Sequence, residues 1–150
     1  MKTPLFAFFF TVLISISTFG QTEEPTIKMK RGNKYGFCDK QRKVLIPCVY
    51  DAIMEFSDGL VGAEIDGLWG FIGVSGDTVI PFLYEAVGSF HDGLAPVTTG
   101  KLWGFVNKSG EMVIPLQYEN AWEFNDKGRA MVQLNGEVIF INTKGEQIIL

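Results

Sequence analysis

The sequence predicts an all-β protein made of tandem three-stranded antiparallel units of about 34 residues, stacked as an open solenoid-like array. Four equal units can also close on themselves, so a small propeller-like ring is the alternative. Three observations carry this prediction. An aromatic–glycine–phenylalanine triplet recurs as Tyr35-Gly36-Phe37, Trp69-Gly70-Phe71 and Trp103-Gly104-Phe105, in 34-residue steps. Between the triplets, turn-forming dipeptides alternate with apolar runs of strand length. No stretch shows helical periodicity.

In chain order, the first element is a leader. Met1-Lys2 gives a short positive start, and Leu5–Ile16 is an almost unbroken apolar run. Thr18 and Gly20 have the small-residue spacing a signal peptidase reads, so residues 1–20 are expected to be a signal peptide, with Gln21 the new terminus. The run is shorter than the roughly twenty residues of a membrane span, and polar residues follow it. No cysteine closes it, so lipid attachment is not expected. The product is expected to be exported, periplasmic or extracellular, with no stable membrane insertion.

Residues 21–150 form the repeat domain, in units 26–58, 59–92, 93–127 and 128–150. Strand A is the alternating segment at the start of each unit: Thr26–Arg31, Leu60–Ile65, its counterpart after Asp92-Gly93, and Ala130–Leu134. Gly32-Asn33, Asp66-Gly67, Gly100-Lys101 and Asn135-Gly136 then read as two-residue hairpin turns. Strand B carries the triplet. A turn follows, as in Asn107-Lys108-Ser109-Gly110, whose last glycine takes the left-handed position. Strand C is expected to end at Pro47, Pro81 or Pro115, because proline cannot donate to a ladder and so marks an edge or a stop. Tyr50–Phe56, Tyr84–Phe90 and Tyr118–Phe124 are expected to be irregular returns. Lys28, Lys30 and Arg31 charge the first strand of the array, a common defence against edge-to-edge pairing.

These residues resemble the WG-repeat (KWG-repeat) family of bacterial proteins. The resemblance lies in Gly67–Val97 and Lys101–Phe124. Lys34–Leu60 departs by carrying Tyr35 in place of tryptophan. The last unit keeps only Phe140, Asn142, Gly145 and the isoleucine pair, as expected of a terminal cap. The resemblance implies a β-rich tandem repeat of the kind often attached to exported bacterial proteins. It implies no catalytic activity that residues here would carry.

Composition narrows the function. The chain has 150 residues, 47% hydrophobic and 13% aromatic, with 13 basic against 17 acidic residues and a net charge of −4. That apolar content supports a packed domain, and the acidic balance argues against nucleic-acid binding. One histidine and two cysteines leave little material for metal or nucleophile constellations. No glycine pattern cradles a phosphate, and no cofactor is expected. His91, with no second histidine, reads as a solvated loop residue. Asp51, Glu85 and Glu119 recur after the tyrosines and read as carboxylates accepting backbone N–H bonds. Cys38 and Cys48 read as small apolar residues. A disulfide is the minor alternative, because it requires the chain to fold back after Pro47.

The recurring aromatics Tyr35, Trp69, Trp103, Tyr50, Tyr84, Tyr118, Phe56, Phe90 and Phe124 are expected to build the repeat core. The competing reading is a ladder of sugar-stacking platforms, but recurrence at a fixed register favours packing. Phe37, Phe71, Phe105 and Phe140 share a second core register. Trp122 stands apart, because Met54 and Gly88 occupy its position in the other units. With Asn120 and Glu123 it forms the candidate binding patch. The expected function is a non-catalytic exported scaffold for protein–protein binding at the bacterial envelope. An envelope-glycan-binding module is the alternative, and an enzyme or enzyme accessory is disfavoured by the missing nucleophile–base pair.

Overall fold

Residues 27–149, the part of the chain that the computed structural model describes, form fifteen β-strands in four antiparallel sheets. The expected signal peptide and Thr26 lie outside the described residues. No described helix is long and apolar enough to cross a membrane.

The first sheet joins β1 (Ile27–Arg31), β2 (Lys34–Cys38) and β3 (Val44–Tyr50) in that order. The second runs β4 (Ala52–Ile53), β5 (Leu60–Ile65), β6 (Leu68–Gly73), β7 (Thr78–Tyr84). The third runs β8 (Ala86–Val87), β9 (Leu94–Thr98), β10 (Trp103–Asn107), β11 (Met112–Tyr118). The fourth runs β12 (Asn120–Ala121), β13 (Arg129–Leu134), β14 (Glu137–Asn142), β15 (Gln147–Ile148).

The expected three-stranded unit is therefore present, and three of the four sheets add a fourth strand. That strand comes from the return segment of the preceding unit. The N–H of Asp51 donates to the Glu64 carbonyl and that of Met54 to the Gly62 carbonyl, both at 2.8 Å, pinning β4 beside β5. The returns are thus only partly irregular. They stitch each unit to the next.

Strand C also differs from expectation. It continues three residues beyond Pro47, Pro81 and Pro115, to Tyr50, Tyr84 and Tyr118. Phe37 pairs with Ile46 and Tyr35 with Tyr50, so three residues of β3 oppose the single Gly36. The proline sits in this bulge on an outer strand of the sheet, where its missing N–H leaves no ladder position unfilled. The proline marks an edge, as read, and not a stop.

Turn chemistry follows the glycines. Asp66-Gly67 and Asn135-Gly136 are two-residue hairpin turns with positive φ at both positions. In the third unit, Gly100-Lys101 is part of a longer loop: Thr98 pairs with Trp103, leaving residues 99–102 between them. The hydroxyl of Thr98 donates to the Leu102 carbonyl and accepts the Gly100 N–H, closing this wider loop.

The core lies between consecutive sheets. Phe37, Ile46 and Tyr50 of the first sheet pack with Val61, Ala63 and Ile72 of the second. Phe71, Ile80 and Tyr84 pack with Ala95, Val97 and Val106 of the third. Phe105, Ile114 and Tyr118 pack with Ala130, Val132 and Ile141 of the fourth. Phe71 and Ile72 are adjacent in β6, so their side chains leave opposite faces of the sheet, and each inner sheet is buried on both faces. Strand B is apolar at consecutive positions for that reason. Each buried phenylalanine contributes about 2–3 kcal/mol by apolar burial. Phe37, Phe71 and Phe105 also lie 4.7–5.0 Å, ring centre to ring centre, from Phe56, Phe90 and Phe124. Among the described residues no hydrophobic cluster joins the first sheet to the fourth, as a ring would require. The stack is open.

Candidate functional site

The recurring aromatics divide by depth. Tyr50, Tyr84, Tyr118, Phe90 and Phe124 are buried. Tyr35, Trp69, Trp103 and Phe56 are half-buried, packed against the rims of the three clusters. Burial pushes the phenols of Tyr50, Tyr84 and Tyr118 above the ordinary tyrosine range. These side chains hold the stack together and leave few rings at the surface.

The carboxylate row has a structural task that spans units. Asp51 accepts the turn N–H of Asp66, Glu119 accepts that of Gly136, and Glu85 lies against Gly100. Each carboxylate thus lies over the A–B turn of the following unit. Asp51 also accepts a 2.6 Å bond from the Lys34 ammonium, and these two donors hold its carboxyl below the usual range. Asp39, Asn107, Asn125 and Asn142 likewise each accept two backbone N–H groups within their own turns.

Trp122 is different. It is 46% exposed, the only tryptophan among the exposed large hydrophobic residues. Its ring borders an open pocket of about 300 Å³ between the returns of the second and third units. Val87, Gly88, Pro96, Trp103, Ala121 and Glu123 complete its lining. Glu123 is fixed across the gap: one carboxylate oxygen accepts the Ser89 N–H at 2.6 Å, and the other lies 3.7 Å from His91 Nε2. His91 is half-exposed. Asn120 is outside the pocket lining and donates from its amide to Gln133 at 2.6 Å. Two of the three patch residues therefore meet at one pocket, and Trp103, assigned to the core, joins them.

The two neighbouring junctions are packed differently. In the preceding junction, the Met54 side chain lies over Gly62, beside Val87. At the next junction Gly88 takes the methionine's place, and a Cβ there would meet Pro96 Cγ at 2.6 Å and Glu123 Cγ at 3.2 Å, so Pro96, standing where the second unit has Gly62, takes up the room the methionine side chain uses. The series Met54, Gly88, Trp122 is visible in the sequence, but the pocket itself depends on how the neighbouring returns pack.

Cys38 is buried, Cys48 is half-buried, and both thiols are free. The Cys48 thiol points to the Met29 carbonyl at 3.7 Å. Among the described residues no group of three or more His, Cys, Asp or Glu side chains is placed to hold a metal ion.

A family described as WG containing repeat matches residues 35–69, 69–103 and 103–137 as three tandem copies. Its frame runs from one strand-B aromatic to the next, and so cuts the same array at strand B instead of strand A. No curated protein and no solved structure matches the chain. With the matched copies covering residues 35–137, the chain belongs to the WG-repeat family.

Proposed function

We propose that the protein is a non-catalytic, exported repeat scaffold that binds a protein partner at the bacterial cell envelope. The observation that carries this reading is Trp122. Packing does not require a ring at its position, since Met54 and Gly88 serve in the other units, yet the ring stands exposed at the wall of an open pocket. Tryptophans so placed are common anchors of protein interfaces. The apolar leader at residues 1–20 supports export.

The test is recovery of a partner from envelope extract on immobilised protein. A partner retained by the wild type and lost with Trp122→Ala, at unchanged thermal unfolding, supports the reading. Equal recovery with both forms contradicts it. A second reading, an envelope-glycan module, is favoured by the pairing of an indole with the acceptor carboxylate of Glu123. Retention on insoluble peptidoglycan that Trp122→Ala abolishes would favour that reading over the first.

A further inference from the structure

Among the described residues, the first sheet has three strands where each of the other three has four. β5, β9 and β13 are each covered on their outer edge by β4, β8 or β12. Among the described residues, nothing pairs with the outer edge of β1. Arg31 pairs with Lys34 as Ile65 pairs with Leu68, which makes Lys28 and Lys30 the counterparts of Gly62 and Glu64. Those two counterparts supply the carbonyls that hold β4.

Among the described residues, two further contacts that a preceding return makes elsewhere are not made at this end. The Gly32-Asn33 turn stands where Asp66-Gly67 and Asn135-Gly136 each give an N–H to a carboxylate of the preceding return. Glu55 stands where Glu123 accepts a backbone N–H from the preceding return, and it pairs instead with Lys28 at 2.7 Å. Charge points to the occupant. Residues 27–46 hold seven basic residues against one acidic, whereas residues 47–149 hold five against fourteen. An internal return places its acid beside the next hairpin, and at the first hairpin that acid would meet Lys30 and Arg31.

We propose that the outer edge of β1 is a docking site for a short acidic extended segment of a partner protein. The segment adds to the first sheet as β4, β8 and β12 add to the next three, by strand addition. Its backbone N–H groups bond the Lys28 and Lys30 carbonyls, and its carboxylate accepts a turn N–H of Gly32 or Asn33 beside Arg31. A second copy of this chain is not the occupant, because its own returns are already paired within its sheets. The basic side chains on β1 repel copies and admit an acidic strand. The site is at the opposite end of the array from Trp122 and does not depend on it.

The probe is a synthetic peptide of the chain's own Tyr84–Phe90 segment, titrated into the full-length protein and followed by calorimetry and amide hydrogen exchange. The expected result is binding that slows exchange of the outward-facing Lys28 and Lys30 amides. Arg31→Glu in the protein, or Glu85→Lys in the peptide, is expected to weaken binding at least about tenfold. Trp122→Ala is expected to leave it unchanged, which separates this site from the pocket. The proposal is overturned by no binding at about 1 mM peptide, by insensitivity to both charge reversals, or by protection elsewhere. It is equally overturned if Lys28 and Lys30 are already protected in the free protein, as residues 1–26 or a second copy on that edge would make them.

Discussion

A Cβ added to Gly70 would lie 2.6 Å from the carbonyl oxygen of Ile80. The same overlap, closer still, holds for Gly36 against Ile46 and for Gly104 against Ile114. The glycine of the recurring triplet is therefore required by approach of two backbones. The bulged strand C presses its pre-proline carbonyl into the space a side chain would take. In the fourth unit, Ile139 holds that position, and β15 pairs only through Ile148 and Gln147, with no bulge.

Gly70→Ala is accordingly expected to destabilise the protein by about 2–3 kcal/mol, because backbone on both sides leaves nothing flexible to yield. Gly73→Ala is the control, since its nearest neighbour is the Val79 side chain at 3.7 Å and its φ is ordinary. Denaturant unfolding of both variants checks this; equal effects would refute the close-approach account.

Arg42 occupies the left-handed position, φ 65°, that Gly76, Gly110 and Gly145 fill in the other B–C turns. An L side chain there costs about 1–2 kcal/mol, partly offset by the lower entropy of the unfolded arginine chain. Arg42→Gly is therefore expected to stabilise by about 0.5–1 kcal/mol and raise the melting temperature by a few degrees. An unchanged or lower melting temperature would contradict the turn assignment.

Much of this was legible in the residues, and the exceptions share a cause. Three of the four hairpins and the glycine-bearing B–C turns were readable because positive φ favours glycine, asparagine or aspartate, whereas the loop at Gly100-Lys101 is longer than its glycine suggested. The buried strand-B phenylalanines were readable because stacking demands the same filling in each unit. Pro47 was misread as a terminus because an edge strand and a strand end tolerate proline for the same reason, the missing donor. Ala52-Ile53 was passed over because two residues are too few to show a period. The Trp122 pocket was half-visible: the odd ring was evident, but the space beside it depends on how the returns of two units pack.

Stability is expected to depend on pH at both extremes. The Asp51 carboxyl is held below its ordinary value of 3.8 by Lys34 and the Asp66 N–H. Its contribution is fully present above 3.8 and is lost as pH falls through the lower value of the folded state. The fall in melting temperature on acidification should thus be smaller in Asp51→Asn. The phenols of Tyr50, Tyr84 and Tyr118 are raised above 10.0 by burial, so their contribution is complete below that pH and lost as pH climbs through the folded values. Thermal unfolding across both ranges, with Tyr84→Phe as the alkaline comparison, checks the signs. A steeper acid loss in Asp51→Asn would contradict the assigned contacts.

Trp122→Ala is expected to change stability by less than about 1 kcal/mol, because the ring is half-exposed and Gly88 serves at the same position. Trp103→Ala, whose ring packs on the core, should cost about 3 kcal/mol. Comparable losses in the two variants would mean that Trp122 belongs to the core.

The most direct test of the binding account is site-specific photo-crosslinking in living cells, with the reactive group at position 122 and a control at position 138. Val138 is 58% exposed and lies outside the pocket lining. The account predicts a discrete protein adduct from position 122 and none from position 138. No adduct at 122, or the same adducts from both positions, would contradict it.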